Sequence, residues 1–110
     1  IIMNTGNIDL NKDVIEASMS CPVLVDFWAP WCGPCRMLGP VLDSLHGKAQ
    51  GRWKLVKINV DENAEAAAVF GIRSIPAVKL FIEGEIVSEF TGFHPEEAIN
   101  GWLEEQIAKD

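Results

Sequence analysis

Two short runs, "PVLVDFWA" at residues 22–29 and "WKLVKINV" at residues 53–60, constrain this chain more than any other feature. Both are β-branched and apolar, the pattern of strands buried on both faces beside parallel neighbours. Between them lies "CGPCRMLGPVLDSLHGKA", in which Met37, Leu38, Val41, Leu42 and Leu45 recur at helical spacing. The result is a strand, helix, strand unit. Pro34 falls where a first helical turn tolerates proline, whereas Pro40 lies inside the pattern and is predicted to kink it. Gly47 is the predicted stop.

The rest of the chain supplies layers for that unit. "ENAEAAAVFG", residues 62–71, is Ala-rich and predicts a second helix, with Gly71 suited to the left-handed residue after its end. "AVKLFIEGEIVSEF", residues 77–90, reads as two strands around Glu83, Gly84 and Glu85, an antiparallel hairpin. Ala98, Ile99, Trp102, Leu103 and Ile107 form the apolar stripe of a last helix that starts near Pro95. At the front, Val14, Ile15 and Met19 predict a further amphipathic helix, and Ile2 and Met3 a short strand. The expected class is α/β, a mixed sheet with helices on both faces. At 110 residues, 48% hydrophobic and 23% charged, with no repeat or linker, residues 1–110 are expected to form one domain.

Charge narrows the partners. Sixteen acidic against nine basic residues give a net charge of -7 with no basic cluster, so neither nucleic acid nor a membrane surface is an expected partner. No apolar run approaches the roughly 20 residues of a membrane helix, and "IIMNTGNIDL" lacks the order of a signal peptide. The reading is a soluble chain, although a first residue other than Met leaves a trimmed signal or a longer parent open. Three cysteines, an odd number, do not make a structural disulfide framework.

Ligands of open α/β sheets gather at the carboxyl ends of parallel strands, and there the chain reads "DFWAPWCGPCRMLGP", residues 26–40. Cys32 and Cys35 stand at i and i+3, one helical turn apart and on one side, so a modest adjustment brings them to disulfide distance. A helix N-terminus favours a thiolate through its unpaired N–H groups and dipole. A free thiol of pKa about 8.5 is only about 3% ionised at pH 7, so lowering that value toward 7 raises the attacking species more than tenfold. Cys32 is the expected nucleophile and Cys35 the resolving thiol. Zinc would need a second ligand pair, which Cys21, His46 and His94 do not form by spacing. Attached haem would need histidine where Arg36 stands. Two inert core cysteines fit poorly with Gly33 and Pro34 at a helix start. Asp26 is open on sequence grounds: a solvated strand position, or a buried acid with raised pKa.

With "WCGPC", "VKINVDEN", "FGIRSIPAVKLFIEGE" and then Gly92, in this order, nearly the whole chain resembles the thioredoxin family. The resemblance implies the thioredoxin fold and a protein-disulfide reductase working by dithiol–disulfide exchange. It implies that Asp26 is a buried acid behind Cys35, that Lys57 lies near it, and that Pro76 is cis and faces the thiols. A substrate-docking surface would then comprise Trp31, Gly33, Pro34, Ile75, Pro76, Gly92 and Phe93. No bound cofactor is implied; reducing equivalents would come from NADPH through a thioredoxin reductase, in the cytoplasm, to a monomer acting on disulfide-containing proteins. Ala77 departs from the threonine that many members carry there. Cys21 matches nothing in the motif and reads as a half-buried bystander, and His46 and His94 as surface residues near helix ends. A second resemblance, through "DVIEASMSCPVLVDFW" and "GFHPEEAINGWLEE", is to the thioredoxin domain of bacterial co-chaperones with tetratricopeptide repeats. It implies a rival role, a redox-capable module holding unfolding clients.

Overall fold

A computed structural model describes residues 2–3 and 8–109. Its strands are β1 (Ile2–Met3), β2 (Val23–Trp28), β3 (Lys54–Asn59), β4 (Ala77–Ile82) and β5 (Glu85–Thr91). They form one mixed sheet in the order β1-β3-β2-β4-β5, in which β1/β3 and β3/β2 are parallel and β2/β4 and β4/β5 antiparallel. Three α-helices cover it: α1 (Gly33–Ala49), α2 (Ala64–Val69) and α3 (Glu96–Ala108). This is the α/β thioredoxin fold.

Side chains alternate across the strands and so build two cores. Leu24, Leu55 and Leu80 face α1 and α3, where they pack with Leu38, Leu42, Leu45, Ile99 and Leu103. Val23, Val25, Phe27, Val56 and Ile58 face the opposite way, against Val14 and Ala66. Asp26 shares its parity with Leu24 and therefore points into the α1 side.

The helices depart from expectation in instructive ways. The N-terminal helix is a wide-turned π-helix over Leu10–Glu16, closed by a 3-10 turn at Ala17–Met19; Val14 is buried but Met19 is exposed. Ser18 explains the position of Met19, because its backbone carbonyl accepts from Glu83 N–H at 2.9 Å and its hydroxyl from Gly84 N–H at 2.8 Å. The end of the segment is thus tied to the hairpin turn, while Val14 holds its middle to the core. α1 passes both Pro40 and Gly47 and stops two residues beyond that glycine, at Ala49, where Gln50 takes the left-handed conformation with φ 52°. Met37 is 60% exposed, and Ala98 is exposed as well, so each falls outside the stripe its spacing suggested. Helical spacing defines a face only to within one position on either side.

Two features set the ends of the sheet. Glu83 and Gly84 have φ of 53° and 84°, the pair of positive values a two-residue hairpin turn requires. Along the same hairpin Leu80 pairs with Ser88 but Phe81 with Ile86, so Val87 is an extra residue, a bulge on the exposed edge strand. His46 is half-buried against Trp53, with ring centroids 5.3 Å apart, and is not the surface residue its sequence position implies. His94 is exposed and stands edge-on to Phe90.

Leu42, fully buried where α1 meets the sheet, should be costly to truncate. Leu42→Ala is expected to lose about 2–5 kcal/mol and Met37→Ala, on the exposed side of the same helix, less than about 0.5 kcal/mol. Urea midpoints at unchanged slope check the pair.

Candidate active site

β2 ends at Trp28, and after four intervening residues α1 begins at Gly33, with Pro34 in its first turn. Cys32 is the N-cap: its sulfur accepts the Cys35 backbone N–H at 3.2 Å, the place a serine hydroxyl takes in other helices. The two sulfurs are bonded, with Cα atoms 5.3 Å apart. Cys32 also lies 3.8 Å from the carbonyl oxygen of Ile75. The Ile75–Pro76 peptide is cis.

The cysteines are more enclosed than a helix start suggests, 4% and 5% exposed, in a small cluster with Ala29 against Trp28, Val60 and Ile75. The expectation that Gly33 and Pro34 would keep them from burial is corrected: Ile75, in the loop before β4, packs against the helix start, its carbonyl oxygen 3.8 Å from the Cys32 sulfur. A groove of about 310 Å³ is lined by Trp31, Val60, Ala67, Ile72, Arg73 and Ile75, of which Val60 and Ile75 also pack against the cysteines. Trp31 is 66% exposed, yet its indole N–H donates to Asp61 Oδ2 at 3.0 Å, which fixes the ring at the rim.

The other residues of the expected docking surface divide by location. Gly33 is half-buried and Pro34 exposed beside the disulfide. Pro76 is buried, and its carbonyl accepts from Gly92 N–H at 2.9 Å. Gly92 has φ 81° and open space where a Cβ would project, so its backbone conformation is what favours glycine. Phe93 is exposed, and its association with the site is its adjacency to Gly92.

Behind the disulfide, a cleft of about 180 Å³ is lined by Asp26, Trp28, Cys35, Gly39, Asp43 and Lys57 among others. Asp26 is 2% exposed, and its Oδ1 has no hydrogen-bond partner among the described residues. Burial pushes its pKa up from 3.8 to about 7, against the lowering field of Lys57 and with a smaller raising one from Asp43. This decides the question the sequence left open. Lys57 is the register partner of Asp26 in β3, but its ammonium pairs with Asp43 Oδ1 at 2.8 Å.

Sequence reasoning missed Asp43 and Asp61. Asp43 was detectable in principle, since Cys35, Gly39 and Asp43 follow at intervals of four along α1 and so share one line of the helix. Asp61 carried no comparable signal. Cys21 is an unbonded, half-buried thiol. Among the described residues no group of three or more His, Cys, Asp or Glu is placed to hold a metal ion, and no helix is long and apolar enough to cross a membrane.

A bonded Cys-Gly-Pro-Cys pair at a helix N-terminus, on this sheet and in front of a buried carboxyl, defines a thiol–disulfide oxidoreductase. The family model for Thioredoxin matches residues 4–105. The chain belongs to the thioredoxin family. It is 48% identical to a thioredoxin of Porphyra purpurea over 107 residues, covering 97% of this chain and 98% of that one. It is 48% identical to thioredoxin 1 of a Nostoc species over 96 residues, 87% and 88% of the two chains. With a thioredoxin of Rickettsia conorii it shares 40% over 104 residues, 94% and 97% of the two. The resemblance to repeat-bearing co-chaperones, and the holdase role it implied, gain no support from these relatives.

The position of Asp26 sets the sign of a pH effect on stability. A carboxyl with raised pKa holds its proton in the folded state where the unfolded chain has lost it. Its contribution to stability is complete below about 3.8 and lost as pH rises through about 7. Asp26→Asn is therefore expected to match the parent protein near pH 3.5 and to exceed it by up to about 4 kcal/mol at pH 8. Denaturation curves across that range check it; equal gains at both ends would mean the carboxyl is not buried in its charged form.

Proposed function

We propose that this chain reduces disulfides of protein substrates, with Cys32 as nucleophile, Cys35 as resolving thiol and Asp26 as proton acceptor. The observation that carries the reading is the Cys32 sulfur capping α1, since a group that accepts the Cys35 N–H is favoured there as an anion. The Cys32 thiolate attacks one sulfur of the substrate disulfide; a mixed disulfide forms, and the displaced substrate thiolate takes a proton from water. Cys35 then gives its proton to the Asp26 carboxylate and its sulfur attacks Cys32. The second substrate thiolate leaves, the Cys32–Cys35 disulfide closes, and two electrons have passed to the substrate.

Substrate docks in extended form across Trp31, Gly33, Pro34, Ile75, Pro76 and Gly92, with Phe93 at the margin. The carbonyl of Ile75, 3.8 Å from the Cys32 sulfur, supports this, because a backbone acceptor beside the nucleophile orients a peptide. Lys57 modulates the charge of Asp26. The oxidised protein is returned to the dithiol by a thioredoxin reductase that draws on NADPH. The chain acts as one domain and a monomer in the cytoplasm, on proteins rather than nucleic acids or membranes.

With insulin as substrate and dithiothreitol as reductant, Cys32→Ser is expected to lose turnover at least about a thousandfold, while Cys35→Ser accumulates a covalent adduct through Cys32. Mass spectrometry of the adduct checks the order of the two thiols. The Cys32/Cys35 reduction potential, read by equilibration in thiol–disulfide buffers, should be strongly reducing; a value higher by about 100 mV or more would make the protein a disulfide donor and overturn the reading.

A further inference from the structure

The ion pair in the cleft behind the disulfide joins Lys57 to Asp43, a residue that the exchange chemistry above does not use. In the sheet Asp26 and Lys57 are register partners on adjacent parallel strands, with side chains on the same face. A lysine in that position would be expected to turn its ammonium toward the carboxylate. It does not: Nζ lies 2.8 Å from Asp43 Oδ1, an ion pair by distance without hydrogen-bond geometry, and Asp26 Oδ1 has no hydrogen-bond partner among the described residues. The side chain of Lys57 is only 12% exposed, and although that of Asp43 is 43% exposed, the Oδ1 that meets the ammonium is itself buried, so the pair closes inside the cleft.

We propose that Asp43 is a positioning residue for the proton acceptor: by tethering the Lys57 ammonium it keeps that group from pairing with Asp26 and limits its field there, so that Asp26 can take up the Cys35 proton near neutral pH. The proposal rests on Asp26 as acceptor. The surroundings of Asp26 leave few other charges that could do the same. From β3 it meets Lys57; from α1, Cys35, Arg36 and Asp43 line the same cleft; from β4 its register partner is the apolar Val78. Arg36 is exposed and donates to the Pro30 carbonyl at 2.9 Å. Asp43 also adds a like charge of its own, and both effects act in the same direction.

The helix supplies the geometry. Asp43 stands two turns beyond Cys35 and one beyond Gly39, so all three lie along one line of α1. A Cβ on Gly39 would come 3.8 Å from Lys57 Nζ, ordinary contact, which places the ammonium directly across from this line.

The test is the titration of the Asp26 carboxyl, followed by carbon-13 NMR in the oxidised protein, where neither Cys32 nor Cys35 titrates. In Asp43→Asn the midpoint should move to lower pH by about one pH unit, and Asp43→Glu should restore most of it. In a Lys57→Met background, Asp43→Asn should move the midpoint by less than half as much, because the tethered charge is gone. An unmoved midpoint in Asp43→Asn, or an equal shift with and without Lys57, overturns the tether. The pH profile of mixed-disulfide resolution separates this from the role of Asp26. If the midpoint shifts and the acid limb of the profile follows, both stand; if the midpoint shifts and the limb does not, the tether stands and Asp26 is not the acceptor.

Discussion

Everything at the reactive end of this protein depends on how α1 is laid across the sheet. Leu38, Leu42 and Leu45 press against Leu24, Leu55 and Leu80, and all six are buried. Burial of that apolar area fixes the rotation of the helix about its own axis. Once the rotation is set, the positions beside the stripe have no choice of direction. Cys35 is delivered to the space over β2, Asp43 to the side of β3, and Cys32 to the open end of the helix where N–H groups lack partners. The hydrophobic contact therefore determines the polar geometry, although no leucine takes part in the chemistry.

The same packing gives two neighbouring groups opposite electrostatic environments. At Cys32 the backbone presents a donor to the sulfur, which favours negative charge. At Asp26 the surroundings remove solvent and supply no hydrogen bond to Oδ1, which disfavours it. Acid–base pairs in enzymes are commonly set by such divergent environments rather than by residue type. Here the divergence arises within one strand–loop–helix junction, between residues six apart in sequence.

The strand, helix, strand unit, the hairpin and the last helix were legible because each announces itself within a short window: apolar runs of strand length, positive-φ candidates at Glu83 and Gly84, and helical spacing in residues 98–107. The reactive pair was legible because its chemistry requires adjacent residues. What could not be read locally was set by contacts between distant segments. The wide turn at Leu10–Glu16 follows from tying Ser18 to residues 83 and 84, and the enclosure of the cysteines from the loop that carries Ile75. Asp26 is the sharpest case. Alternation along β2 gives its face but not what covers that face, so solvated and buried readings stood level until α1 was placed. The partner of Lys57 was missed for a related reason: the family resemblance placed Lys57 near Asp26, while the helix above offered Asp43.

The extra residue opposite Leu80 and Phe81 bears on what happens when many copies meet. β5 is an edge strand whose Ile86 and Val87 are exposed, and a long flat edge of that kind is a template on which another chain can add a strand. The bulge at Val87 breaks the even spacing of free N–H and C=O groups and increases the local twist. An incoming strand that matched the register up to Ile86 would be out of step beyond it. Glu85 and Glu89, both exposed on the same strand, set like charges against each other in any antiparallel or stacked copy. One inserted residue thus makes this edge of the sheet a poor template for a second chain.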